Sequence, residues 1–195
     1  MILYKKNVIK FFDKAAEHWD DTVQKKTEII DKILDGALVH SGKDILDVAC
    51  GTGVIIQDYL DRNVRSVTAI DISPEMVKIA KSKFSQEQVS IICSDIETFI
   101  PDKTFDCIVV YNALPNFADP QTLIRILKDF LNPGGTLTIA HGISREEINK
   151  RRMGAAKDVS FHLISDTELA AMFKPELKVI VQISDDYMYQ VTGIK

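Results

Sequence analysis

The chain has 195 residues, 46% of them hydrophobic and 27% charged, a composition that suits one globular domain able to bury a core without disulfides or structural metals. Its 24 Lys and Arg against 28 Asp and Glu leave a net charge of −4, which argues against general binding to nucleic acid or to an anionic membrane. The longest charge-free stretch, Phe130 to Ser144, contains Asn132-Pro133-Gly134-Gly135 and is therefore no spanning helix. Lys5, Lys6 and Lys10 are followed by no apolar run, so no secretory leader and no membrane contact are expected, and a cytoplasmic location is. Cys50, Cys93 and Cys107 show no zinc or iron–sulfur spacing; three buried free thiols in a reducing compartment are expected, and no metal.

In chain order, a helix is predicted over Val8 to Trp19, and a second over Thr22 to Val39, where Val23, Ile29, Ile30, Ile33, Leu34, Ala37 and Leu38 recur at helical spacing. Ser41-Gly42 ends it. A strand from Asp44 to Ala49 runs into Cys50-Gly51-Thr52-Gly53, and a helix follows to Leu60. A second strand, Ser66 to Ile70, closes on Asp71; Ser73-Pro74-Glu75 opens the next helix with a capping serine and a first-turn proline. Strands are predicted at Val89–Cys93, Phe105–Tyr111 and Thr136–Ala140, with a helix from Asp119-Pro120 to about Leu131 before the last of these. Ser144-x-x-Glu147 and Ser165-x-x-Glu168 read as capping boxes of two short helices. A hairpin, Leu177–Ile183 and Tyr187–Thr192 about Asp185-Asp186, ends the chain.

This alternation predicts a doubly wound α/β sheet, parallel apart from the hairpin, with its ligand crevice at the carboxyl ends of the strands. We divide the chain, as one domain, into a helical lid (1–40), a core (41–140), a helical segment on the substrate side (141–175) and the hairpin (176–195).

Three successive strand ends carry chemistry. The glycine bend 50–53 lets backbone approach a ligand closely. Asp71, about 20 residues after Gly51, is placed to accept from both hydroxyls of a ribose. Asp95, after the third strand, can accept from an adenine amino group beside Ile96. Each alone has a plainer explanation, as a turn or a helix cap; their shared spacing has none. Ile56 stands where a dinucleotide fingerprint wants its third glycine, and no Gly-Lys-Ser/Thr occurs. An adenosine ligand without phosphates remains.

Ile45-Leu46-Asp47-Val48-Ala49-Cys50-Gly51-Thr52-Gly53 resembles the first motif of class I S-adenosylmethionine-dependent methyltransferases. Ala69 to Met76, Cys93 to Ile96, Phe105 to Asn112 and Leu131 to Leu137 resemble their later motifs. Phe11 to Asp20 is similar to the N-terminal helix of the small-molecule branch that includes the ubiquinone and menaquinone methyltransferases. The resemblance implies a Rossmann-like, mostly parallel seven-stranded sheet of order 3-2-1-4-5-7-6 with the last strand antiparallel. It implies S-adenosylmethionine as cofactor, S-adenosylhomocysteine as product, and a small-molecule acceptor as partner. By the same resemblance, backbone around Ala49 and Gly51, with Cys50 and Gly53 of the bend, holds the methionine end. Asp47 orients the loop or reaches the cofactor's ammonium through water, and Asp71 takes the ribose. Ile72 and Met76 lie against the adenine, Asp95 and Ile96 meet its edge, and Tyr111-Asn112 passes beneath the transferred methyl. The family more often has glycine at the position of Ala49. The fourth motif lacks the Asn-Pro-Pro-Tyr of DNA- and glutamine-methylating enzymes.

On the substrate side, His141 at the end of the fifth strand is the general-base candidate by position. Arg145 and Asn149, at i and i+4, can grip an anionic or carbonyl-bearing acceptor from one helix face. His162, and Phe11 and Trp19 of the lid, are further candidates for the acceptor pocket. The principal alternative is a non-catalytic module or partner subunit that binds the cofactor or its product. A nicotinamide-dependent oxidoreductase, the third reading, is opposed by Ile56.

Overall fold

The computed structural model describes residues 2–22, 25–152 and 159–195. Among them seven strands form one sheet, β1 (Asp44–Val48), β2 (Ser66–Asp71), β3 (Val89–Cys93), β4 (Phe105–Tyr111), β5 (Leu131–His141), β6 (Lys178–Ser184) and β7 (Tyr189–Ile194). Their order is β3-β2-β1-β4-β5-β7-β6. β1 pairs in parallel with both β2 and β4, β3 with β2 and β5 with β4; β7 runs antiparallel to β5 and β6. The chain therefore winds outward from β1 one way and then the other, and the crevice between β1 and β4 is where ligands bind in such sheets.

Strand alternation divides the core. Leu46, Val48, Ile108 and Val110 face one layer, with α6 (Pro120–Asp129) and α8 (Asp166–Phe173). Ile45, Cys107 and Val109 face the other, with α3 (Thr27–Gly36), α4 (Ile56–Asp61) and α5 (Pro74–Lys83). Both faces are covered, which is why these strands are apolar almost throughout. Ser73 and Asp119 cap α5 and α6 through their side chains, and Ser165 with Glu168 forms the reciprocal box that opens α8. At the other expected box, the Glu147 N–H donates to Ser144 Oγ at 3.2 Å, ahead of α7 (Arg145–Arg152).

The structure departs from expectation in four places. The first helix, α1, already spans Ile2–Ala15, followed by a single tight turn at Ala16–His18 and by α2 (Trp19–Thr22). The second long helix starts at Thr27, and Val23 lies outside the described residues. β5 begins at Leu131 rather than Thr136, because Asn132–Gly135 bulges between the pairs Phe105–Leu131 and Cys107–Thr136 and bonds to the backbone of Lys195. Cys93 is exposed, not buried, because β3 is the edge of the sheet; Cys50 and Cys107 are buried.

Candidate functional site

A cavity opens at the carboxyl ends of β1 to β4. Every residue expected at the cofactor lines it except Gly53: Asp47, Ala49, Cys50 and Gly51 from the β1 end, Asp71, Ile72 and Met76 from the β2 end, Asp95 and Ile96 after β3, Tyr111 and Asn112 at β4. Gly53 lies behind the bend. A Cβ there would come within 2.8 Å of the Phe84 ring and 3.1 Å of Ile56 Cδ1, at a φ of +82°, so this glycine makes room for the Phe84 ring at the end of α5 and for Ile56, and it is absent from the cavity lining.

The bend is held by Asp71. The Gly51 N–H donates to its Oδ2 at 2.8 Å and the Ser73 N–H to its Oδ1 at 2.8 Å. Burial raises the Asp71 carboxyl above the ordinary range, while these N–H donors pull the other way. Asp47 is 1% exposed and its Oδ2 has no partner among the described residues. Burial first, and the charge of Asp71 second, push it up to about 8. The backbone N–H of the bend that bonds a carboxylate, that of Gly51, bonds Asp71. Burial also drives the Cys50 thiol well above its usual range, with Asp47 and Asp71 adding to it, so it stands as an unreactive thiol. Ala49 and Asn112 hold left-handed backbone, φ +57° and +55°. Asn112 Oδ1 accepts from the Gly142 N–H at 3.0 Å, tying the β4 end to the β5 end.

The N-terminal segment crosses this opening and bonds to the loop after each strand in turn. Thr52 Oγ1 donates to Asp20 at 2.5 Å, and Lys83 reaches the same carboxylate. Ser73 Oγ donates to Asp13 at 2.6 Å, with the Glu75 N–H behind it at 3.3 Å. Lys5 Nζ bridges Asp95 at 2.5 Å and Glu97 at 2.7 Å. The Tyr4 hydroxyl donates to Asn116 O at 3.3 Å and Val159 O at 2.9 Å. Tyr4, Val8 and Phe12, spaced i, i+4, i+8, face the cavity together with Lys5 and Trp19. Sequence reasoning assigned no role to Asp13 or Asp20, and it missed Tyr4 and Lys5 because it began the helix at Val8. The four-residue stripe was the signal that could have found them.

The residues expected on the substrate side are not brought to the cavity, Trp19 excepted. His141 is 2% exposed and packs edge-on against Tyr189, with centroids 5.8 Å apart. The cause is the hairpin, since His141 pairs with Tyr189 of β7, which roofs the end of β5. Burial pushes the imidazole down to about 3, and its Nε2 has no partner among the described residues. Arg145 and Asn149 do share a helix face, but they hold Leu163. Arg145 Nε donates to its carbonyl at 2.9 Å, and Asn149 accepts its N–H at 2.8 Å and donates to its carbonyl at 3.3 Å. His162 is exposed. Phe11 packs edge-on behind Phe12, which takes the cavity position instead.

Residues 46–139 match the model of the methyltransferase domain family. The chain is 31% identical over 141 residues to the ubiquinone biosynthesis O-methyltransferase of Coxiella burnetii, an alignment covering 68% of this chain and 60% of that protein. It is 32% identical over 144 residues to malonyl-[acyl-carrier protein] O-methyltransferase 1 of Ilyobacter polytropus, covering 71% of this chain and 53% of that protein. The chain belongs to the class I S-adenosylmethionine-dependent methyltransferases. Solved methyltransferases share its fold over nearly its whole length. The methyltransferase seen with the Trm112 activator of Haloferax volcanii has a TM-score of 0.74 at 19% identity, covering 94% of this chain and 96% of its own. DhpI, solved with S-adenosylhomocysteine, has a TM-score of 0.71 at 20% identity, covering 96% and 95%.

Proposed function

We propose that this methyltransferase-family chain moves the methyl group of S-adenosylmethionine to a small acceptor. The observation that carries the reading is the acidic lining of the cavity. Asp47, Asp71, Asp95 and Glu97 line it against Lys5, which two of them already hold. Such a site repels phosphates and suits a phosphate-free nucleoside whose tail carries an ammonium. The glycine bend leaves room for that tail, since the nearest atom to a Cβ built at Gly51 is Trp19 Nε1 at 3.8 Å.

When bound, S-adenosylmethionine supplies a methyl group already activated on a sulfonium, so the protein's task is placement and exclusion of water. Asp71 holds the ribose hydroxyls while keeping its grip on the bend. Asp95 and Ile96 meet the adenine edge, with Ile72 and Met76 against its face. Phe12, Trp19 and Tyr111 give the reacting end aromatic, weakly polar walls. A dry site favours a reaction in which charge is neutralised, and orientation by itself is worth roughly 7–11 kcal/mol of barrier. His141 is left out of this scheme: it is buried away from the cavity, and burial holds its imidazole neutral and weakly basic.

Titration calorimetry with S-adenosylhomocysteine tests the reading. Micromolar binding is expected, weakened at least tenfold in Asp71→Ala, which loses the ribose acceptor and releases the bend together. No binding by the wild-type chain sinks the cofactor assignment. Turnover of labelled cofactor against a panel of phenols, amines and carboxylic acids then separates an enzyme from a binding module.

A further inference from the structure

Most charged groups around the cavity have a counterpart. Lys5 is shared by Asp95 and Glu97, Asp71 accepts two backbone N–H groups, Asp13 takes the Ser73 hydroxyl, and Asp20 takes Lys83 and Thr52. Asp47 differs. It is 1% exposed, lines the cavity, and its Oδ2 meets no donor among the described residues.

Among the described residues, the groups packed against Asp47 bring it no positive charge. From β2 comes the carboxylate of Asp71, and from the bend the thiol of Cys50. From α4 comes Tyr59, fully buried, whose hydroxyl also lacks a partner among the described residues. From β4 its strand neighbour is Val109, with Tyr111 and Asn112 further along. Across the opening, the N-terminal segment's Lys5 is committed to the β3 loop and its Asp13 and Asp20 to other loops. An ionised carboxyl buried beside another carboxyl, with no cation, is costly, so the group keeps its proton.

Building on the cofactor reading above, we propose that Asp47 is a proton-for-cation exchange site: neutral acid in the cofactor-free chain, it releases its proton to solvent as the ammonium of the cofactor's amino-acid tail takes up the carboxylate. The O–H bond of Asp47 breaks and the proton goes to buffer. The ammonium keeps its own protons and donates one N–H, and no electrons change hands. Burial and Asp71 hold the free carboxyl up to about 8, so the exchange falls within the neutral pH range. Two consequences follow from linkage. Binding of a ligand with the tail releases close to one proton at pH 7. Its affinity drops about tenfold as the pH falls from 7 to 6. A nucleoside thioether without the tail shows neither effect.

The test is calorimetry of the whole chain at pH 7 in phosphate and in Tris, whose ionisation enthalpies differ. With S-adenosylhomocysteine, the difference between the two heats is expected to report about one proton released per site. With 5′-methylthioadenosine, which lacks the amino-acid tail, it reports none. In Asp47→Asn the release disappears and affinity between pH 6 and 7 becomes flat. Wild-type binding of S-adenosylhomocysteine with no proton release overturns the exchange and leaves the cofactor reading intact; release that persists in Asp47→Asn also overturns it. Absence of binding by both ligands overturns the cofactor reading and the exchange with it. The comparison of the two ligands on the wild-type chain decides the matter even where Asp47→Asn does not fold.

Discussion

Ala49 is a residue whose backbone the site dictates against its own preference. It stands at φ +57°, where an L side chain crowds the backbone. The conformation costs roughly 1–2 kcal/mol for a residue with a Cβ, and the bend imposes it because Cys50 donates its N–H to Ile70 O at 3.0 Å while Gly51 donates to Asp71. Ala49→Gly removes the strain and gives back part of the gain as extra freedom of the unfolded chain. A net stabilisation of about 0.5–1 kcal/mol is expected, read as a rise in melting temperature of about 2 °C. A lower melting temperature would mean that the Ala49 methyl packs more than it strains. The resemblance to methyltransferases already marked this position as one where glycine is usual; the dihedral supplies the physical reason.

At the scale of elements, α1 and α2 act together as a strap across the strand ends. Its fastenings are side-chain bonds to four separate loops, from Asp20, Asp13, Lys5 and Tyr4. These are polar bonds near the surface, worth about 1 kcal/mol each, so the strap opens far more readily than the sheet. Asp13 offers the cleanest cut, because it receives both the Ser73 hydroxyl and the Glu75 N–H at the start of α5. In Asp13→Ala, dissociation of S-adenosylhomocysteine is expected to speed up about 3–10-fold, with a smaller rise in association. The fluorescence of Trp19, the single tryptophan of the chain and a cavity residue, reports both rates in a stopped-flow instrument. An unchanged dissociation rate would show that release does not pass through this strap.

For the whole molecule, two buried groups tilt stability with pH in opposite senses. His141 is held neutral down to about 3, whereas the unfolded chain takes up a proton near pH 6.5. Its contribution is complete above pH 6.5 and is lost as the pH falls from there toward 3, by up to about 1.4 kcal/mol per unit. Asp47 keeps its proton up to about 8 but ionises near 3.9 when unfolded. Its contribution is complete below about pH 3.9 and is lost as the pH rises toward 8. Urea unfolding of His141→Leu against the wild type isolates the first group. The variant is expected to gain on the wild type as the pH falls from 6.5 to 5, with a slope that approaches about 1.4 kcal/mol per unit. A difference that does not move with pH would mean that the imidazole reaches water. The same comparison for Asp47→Asn without cofactor is expected to favour the variant increasingly between pH 6.5 and 8.

Sequence by itself determined the alternation of strands and helices, the placing of Asp47, Gly51, Asp71 and Asp95 at successive strand ends, and the caps at Ser73 and Ser165. These depend on local periodicity and on which residues turn or cap a chain, and such rules act over a few residues. Only tertiary structure decided which side chains close the site. Phe11 and Phe12 are neighbours in sequence, and the docking angle of α1 chose Phe12. His141 and Tyr189 are far apart in sequence, and the antiparallel return of β7 removed His141 from the ligand space. Arg145 and Asn149 had the spacing of a grip, and the segment that came back beside them, at Leu163, became what they hold. A side chain's neighbours across the fold are set by packing between distant segments, and no short-range pattern encodes that.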